Sequence, residues 1–258
     1  MRLMKRILSA AAVLALSASL LVGCSSGTAS SVPVSASSAA ESTVSSVEET
    51  ASSAVDENEA AAAQLLNDLT GSYQELWPVI LADEYKQTWL DDCTALVGED
   101  NAEAAFEKLS SMVTGDVYGE DAVKAYANGG GAYFCGFTNS LVILTFDGET
   151  STISGTDKDG NVLFSHTYHY IGMEPVRGLY EFQSDDADSG EFTYFFLAPD
   201  TSAETYHIEF RYGSDAEALS QYDTGEYAYW LASGISTDCD QTMIDNCIEL
   251  FCTENLAG

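Results

Sequence analysis

The apolar positions of this chain change period twice. Ala62, Leu65, Leu66 and Leu69 recur at helical spacing, and Tyr73 to Leu96 continues the pattern through Pro78. Ala102, Ala105, Phe106, Leu109 and Met112 then form a stripe at i, i+3, i+4 and i+7, which predicts an amphipathic helix. A short helix over Asp121–Ala127 is stopped by Gly129-Gly130-Gly131. Beyond the glycines the period becomes two. It predicts strands over Ala132–Thr138, Leu141–Asp147, Thr150–Thr156, Val162–Ile171, Arg177–Ser184, Phe192–Ala198 and Thr205–Tyr212. Asp147-Gly148 and Asp159-Gly160 fall between runs, where the backbone of such pairs suits tight hairpins. Consecutive short strands joined by tight turns predict an antiparallel meander closed, or nearly closed, as a barrel. Helical spacing returns at Asp215–Gln221, Tyr227–Ala232 and Asp240–Glu254, the last with Met243, Ile244, Cys247, Leu250 and Phe251 on one face. The expected class is α+β, mostly β: an antiparallel barrel flanked by N-terminal and C-terminal helices. Trp77 and Trp89 read as packing residues of the helical part.

The N-terminal residues follow no such period. Arg2, Lys5 and Arg6 precede an apolar run from Ile7 to Val22, which ends at Leu21-Val22-Gly23-Cys24. A basic start, a short apolar stretch and a small residue before cysteine form a bacterial lipoprotein signal. On this reading the thiol of Cys24 takes the diacylglycerol and becomes the new N-terminus after cleavage. From Ser25 to about Asn58 the chain is Ser, Ala, Val, Thr and Glu without aromatics, too poor in apolar area to offset chain entropy. The expected organisation is therefore a signal peptide over 1–23, a lipidated cysteine and tether over 24–58, and one domain over 59–258. That domain divides into a helical part at 59–130, a barrel at 131–213 and helices at 214–258. The expected location is the extracytoplasmic face of the cell membrane, held by the acyl anchor.

Charge narrows the partners. Nine basic residues against 41 acidic ones leave a net charge of −32, which opposes any approach to a nucleic-acid backbone or to anionic headgroups. Removing the signal takes away three basic residues and no acidic one, so the acyl chains rather than charge must hold the protein to the membrane. Metal ions, cationic ligands and basic peptides remain open. Besides Cys24, the cysteines are Cys93, Cys135, Cys239, Cys247 and Cys252, an odd number with no CxxC spacing. They read as buried structural thiols, with one bridge from Cys93 to the C-terminal helix as the alternative.

The three histidines are the natural candidates for chemistry. Alternation along Thr205–Tyr212 puts His207, Glu209 and Arg211 on one face and Tyr206, Ile208, Phe210 and Tyr212 on the other. An imidazole and a carboxylate side by side suit a divalent metal, though taken alone the pair reads first as a cross-strand hydrogen-bonded pair. His166 and His169 fall on opposite faces of their strand. Asp157-x-Asp159-x-Asn161 resembles the start of a calcium loop, but the twelfth position is Tyr168, so a hairpin turn is expected. Asp185 to Gly190 reads as a solvated acidic loop. No GxSxG, HExxH, P-loop or GxGxxG pattern exists, so no catalytic function is expected.

Several blocks taken in order resemble the ZinT family of bacterial zinc-binding proteins, found also as the C-terminal domain of AdcA-type zinc-uptake lipoproteins. They are Tyr168-His-Tyr-Ile-Gly172, Val176-Arg-Gly-Leu-Tyr-Glu181, Leu197-Ala-Pro199 and His207-Ile-Glu-Phe-Arg-Tyr-Gly213. The resemblance implies a calycin-like, lipocalin-related barrel and a role in holding or delivering zinc to a metal ABC uptake system. It places two of the family's metal ligands on His207 and Glu209, and a third, a histidine in the family, on Phe195. With that ligand missing, His169, His166 or a nearby acid would have to complete the site. The expected metal residues are thus His207, Glu209 and His169. The alternative expectation is a calycin-like module with a degenerate metal site, binding a small organic ligand or a protein partner.

Overall fold

The computed structural model describes residues 57–199 and 206–257. The signal peptide, Cys24 and the tether up to residue 56 lie outside the described residues. No described helix is long and apolar enough to cross a membrane.

Helix α1 covers 57–68. It leads into strand β1 (Gly71–Glu75), then α2 (Leu76–Ile80), a 3-10 turn at Asp83–Tyr85, α3 (Lys86–Val97), α4 (Glu99–Val113) and α5 (Glu120–Ala127). The strands follow: β2 (Ile143–Asp147), β3 (Thr152–Thr156), β4 (Val162–Met173), β5 (Tyr180–Ser184), β6 (Tyr194–Leu197) and β7 (Ile208–Gly213). Short helix α6 (Ala216–Leu219), strand β8 (Ala232–Ser236) and helix α7 (Gln241–Leu256) complete the order. Each strand pairs antiparallel with its neighbours in sequence, and β1 pairs with β8 to close an eight-stranded barrel. Up-and-down closure leaves no free sheet edge. The fold is α+β, an up-and-down barrel with α1 before it, α2 to α5 inserted between β1 and β2, α6 between β7 and β8, and α7 after it.

The closing strands are the ones that periodicity misassigned. Tyr73 to Leu96 is not a continuous helical pattern, because Gly71–Glu75 is captured as a strand between β2 and β8. Pro78 then sits in the first turn of α2, where its missing N–H costs no helical bond. Tyr227–Ala232 is not a helix: Tyr229 takes a positive φ of 56°, and Ala232 begins β8. Ala132–Thr138 is not a barrel strand. It makes isolated bridges from Phe134 to Thr114 and Trp230, and its alternation reflects packing, with Cys135 in the helical core and Phe137 in the barrel core. The hairpins form at the expected turns. Asp147 Oδ1 accepts from the N–H of Glu149, and Asp157 Oδ1 accepts from those of Asp159 and Asn161. Asp157–Asn161 is thus a hairpin turn.

Two cores result. One fills the barrel with stacked aromatics, among them Phe164 on Phe192 at 3.9 Å and Phe195 against Tyr212 at 5.3 Å between ring centroids. The apolar stripe of α1 (Ala62, Leu65, Leu66), with Leu69 just beyond its end, joins that core. The second core lies between the helices and the outer face of the barrel, built on Trp77, Ile80, Trp89, Leu109, Ile235 and Ile248. Trp89 is fully buried, and its indole N–H donates to the Ile80 carbonyl at 2.7 Å. Trp77 and Trp89 are packing residues, as expected.

Candidate metal site

Strand β7 sorts its side chains as a period of two requires. Ile208, Phe210 and Tyr212 enter the barrel core. His207, Glu209 and Arg211 point the other way, and each finds a different cover. Arg211 is completely buried under the 216–230 segment, donating to the carbonyls of Leu219, Gln221 and Tyr227 and lying 4.3 Å over the Tyr222 ring. Those backbone oxygens serve the two terminal nitrogens as water would outside, while the buried Nε is left without a partner among the described residues. Gly213 ends the strand where a Cβ would come within 2.5 Å of the Tyr227 hydroxyl, so that approach needs glycine.

His207 and Glu209 are covered by α7. They line a cleft of about 70 Å³ together with Leu76, Trp77, Ile80, Cys247, Leu250, Phe251 and Glu254. His207 Nε2 stands 3.7 Å from Glu209 Oε1, with the two side chains 17% and 42% exposed, so solvent reaches the pair from the carboxylate side. Burial opposes a charge on His207, but hydrogen bonds and attraction from Cys247 and Glu209 outweigh it and push the imidazole up to about 10. Sequence reading placed Cys247 on the packing face of the last helix and did not single out Glu254. Their spacing carried a signal, because Cys247, Leu250, Phe251 and Glu254 stand at i, i+3, i+4 and i+7 and share one face.

The other histidines are engaged elsewhere. His169 Nδ1 lies 2.6 Å from Asp185 Oδ1, and His166 Nδ1 lies 2.8 Å from Asp186 Oδ2. The acidic loop after β5 therefore supplies a partner to each histidine of β4. His169 does not line the His207 cleft. Phe195 is fully buried among the rings of Tyr168, Phe210 and Tyr212, inside the barrel and on the opposite side of the sheet from His207 and Glu209. A histidine at 195 would not reach their site.

The donors suit zinc by type: an imidazole, a carboxylate and a nearby thiol. Their arrangement is less complete. Among the described residues, no group of three or more His, Cys, Asp or Glu side chains is placed to hold a metal ion. A tight zinc site takes three or four protein donors. The His207–Glu209 pair fits a weakly held, exchangeable ion and does not fit a structural or high-affinity one.

No family model matches the chain. No curated protein matches it either. Among solved structures, it is similar to the Zn(II)-bound ZinT-like domain of Streptococcus pneumoniae AdcA, at 15% identity and a TM-score of 0.45, over 71% of this chain and 89% of that one. It is also similar to Zn(II)-bound AdcA from the same organism, at 14% identity and a TM-score of 0.41, over 75% of this chain and 35% of that one. Likenesses this distant do not bear on the ligand, and the architecture rests on the chain's own strand order.

Proposed function

We propose that this chain is a lipid-anchored, extracytoplasmic protein that binds a divalent metal ion, with zinc the first candidate, through His207 and Glu209. It performs no catalysis and serves as a scavenger or chaperone feeding a metal uptake system. The observation that carries this reading is the convergence of His207, Glu209 and Cys247 on one small cleft at the seam between barrel and helices. The leader ending at Cys24 supports the anchor. A pair of donors holds an ion loosely enough to give it up, which suits delivery better than storage. The ion must displace the proton on His207, so binding releases protons and strengthens as pH rises.

Calorimetric titration of the metal-stripped chain with zinc tests the reading. Micromolar or weaker binding is expected, abolished by His207→Ala and weakened by Glu209→Gln. An unchanged titration in the His207→Ala variant removes the cleft from the role.

A second reading has an observation of its own. The barrel interior is filled with its own rings, but clefts of about 370 and 390 Å³ lie on the outer face, both lined by Trp77, Val113 and Cys135. That size admits a small organic ligand. A co-purifying small molecule in native mass spectrometry, retained by His207→Ala, would favour this reading over the metal.

A further inference from the structure

Four of the five cysteines in the described residues are buried, and all four belong to the helical core. Cys247 and Cys252 are five residues apart on α7 and point in different directions, one to the His207 cleft and the other to α3. On α3, Cys93 meets it. Its Sγ lies 3.9 Å from Cys252 Sγ, across 159 residues of sequence, and both side chains are fully buried. That separation is van der Waals contact between two thiols. A disulfide needs the sulfurs at about 2.05 Å, so a side-chain rotation with a small shift of α3 against α7 would have to close the remaining gap. We propose that Cys93 and Cys252 are joined by a disulfide in the exported protein, fastening the C-terminal helix to the helical layer. This rests on the extracytoplasmic location proposed above, because a reducing compartment would keep the pair as thiols.

The chemistry is a two-electron oxidation by a protein disulfide of the extracytoplasmic space. One cysteine thiolate attacks that disulfide, forms a mixed disulfide and expels one thiolate. The second cysteine then attacks the mixed disulfide, forms the Cys93–Cys252 bond and expels the other thiolate. Two protons leave the cysteines, and the oxidant takes up the electron pair as two thiols. In the folded chain, burial raises both thiols, and the neighbouring Asp92 raises them further. Neither is therefore a ready nucleophile once α7 has docked, so the bond forms during folding and resists exchange afterwards.

The remaining thiols fit this assignment. Cys135 is pushed up to about 12, chiefly by burial, and Cys239 is only partly buried at the start of α7. Cys239 is near enough to Cys247 to feel its charge, while Cys247 is engaged with His207. Closing a loop this long restricts the unfolded chain strongly, which predicts that reduction lowers Tm by roughly 10 °C.

The full chain, reduced and unfolded, is refolded in mild detergent with reduced and oxidised glutathione, then alkylated in denaturant and mapped by mass spectrometry. The expected product is one cross-linked Cys93–Cys252 peptide pair, with Cys24, Cys135, Cys239 and Cys247 alkylated. Cys93→Ser should leave Cys252 alkylated and match the Tm of reduced wild type. Free thiols at both positions, or Cys252 bonded to another cysteine, overturn the proposal. A second arm maps the chain recovered from an exporting bacterium and reads Cys24 in the same digest. Acylated Cys24 beside free Cys93 and Cys252 also overturns it. Unmodified Cys24 instead counts against export alone, and the refolding arm still decides the pair.

Discussion

The barrel core and the helical core are held together differently. Inside the barrel, the strands are bound to one another around a closed hydrogen-bond ladder, and aromatic rings fill the space they enclose. The core contains no cysteine. Outside, α2, α3, α4 and α7 share no such ladder. They meet the barrel through Ile235 and one another through Trp77, Trp89, Phe106 and Phe251, and every described cysteine lies in or against this layer. A layer that depends on side-chain packing gains more from covalent or polar fastening than a closed sheet does. The site sits at the seam: Glu209 and His207 come from the barrel side, Cys247 and Glu254 from the helical side.

Phe195→Ala should break the comparison at its strongest point. It removes a fully buried ring from the stacked interior, and a cost of about 3–5 kcal/mol is expected, with all probes of structure lost together in denaturant. Loss of the helical signal alone would show that the barrel is not the more cooperative half. Trp89→Phe is gentler. It keeps an aromatic ring but leaves the Ile80 carbonyl without its indole donor, at a cost of about 1–3 kcal/mol. The helical layer should then protect its amides less against hydrogen exchange while the strands stay protected.

Asp240→Ala should cost about 1 kcal/mol, because the Asp240 carboxylate caps α7 by accepting from the N–H of Met243. A fall in zinc affinity in the same variant would link the fastening of α7 to the cleft it covers. At the seam itself, the folded His207 is raised above its ordinary 6.5 to about 10. The metal-free protein thus holds the full contribution of the protonated imidazole below pH about 6.5 and loses it as pH rises through about 10. The difference in denaturant midpoint between wild type and His207→Gln should shrink across that window. Smallest of all, Asp185→Asn should change stability by about 0.2–1 kcal/mol, since the His169 pair it breaks is half exposed.

Much of this molecule is legible locally. The stripes of α4 and α7, the strands β2 to β7 and the Asp-Gly hairpins follow from period and turn chemistry, since each depends on neighbours within a few residues. The two faces of β7 were also legible, because alternation is a property of the extended chain itself. The closing strands β1 and β8 were not. Gly71–Glu75 and Ala232–Ser236 each carry a single large apolar residue, Tyr73 and Ile235, so neither shows a strand pattern of its own.

The sequence by itself thus determined which residues share a face and where the chain turns. Only the tertiary structure decided what each face meets. It set Phe195 inside the barrel with His207 outside, gave His166 and His169 to the acids after β5, and brought Cys247 to His207 and Cys252 to Cys93. Periodicity is written in short-range spacing. The choice of neighbour is made by barrel closure and helix docking, which sum contacts between segments far apart in the chain.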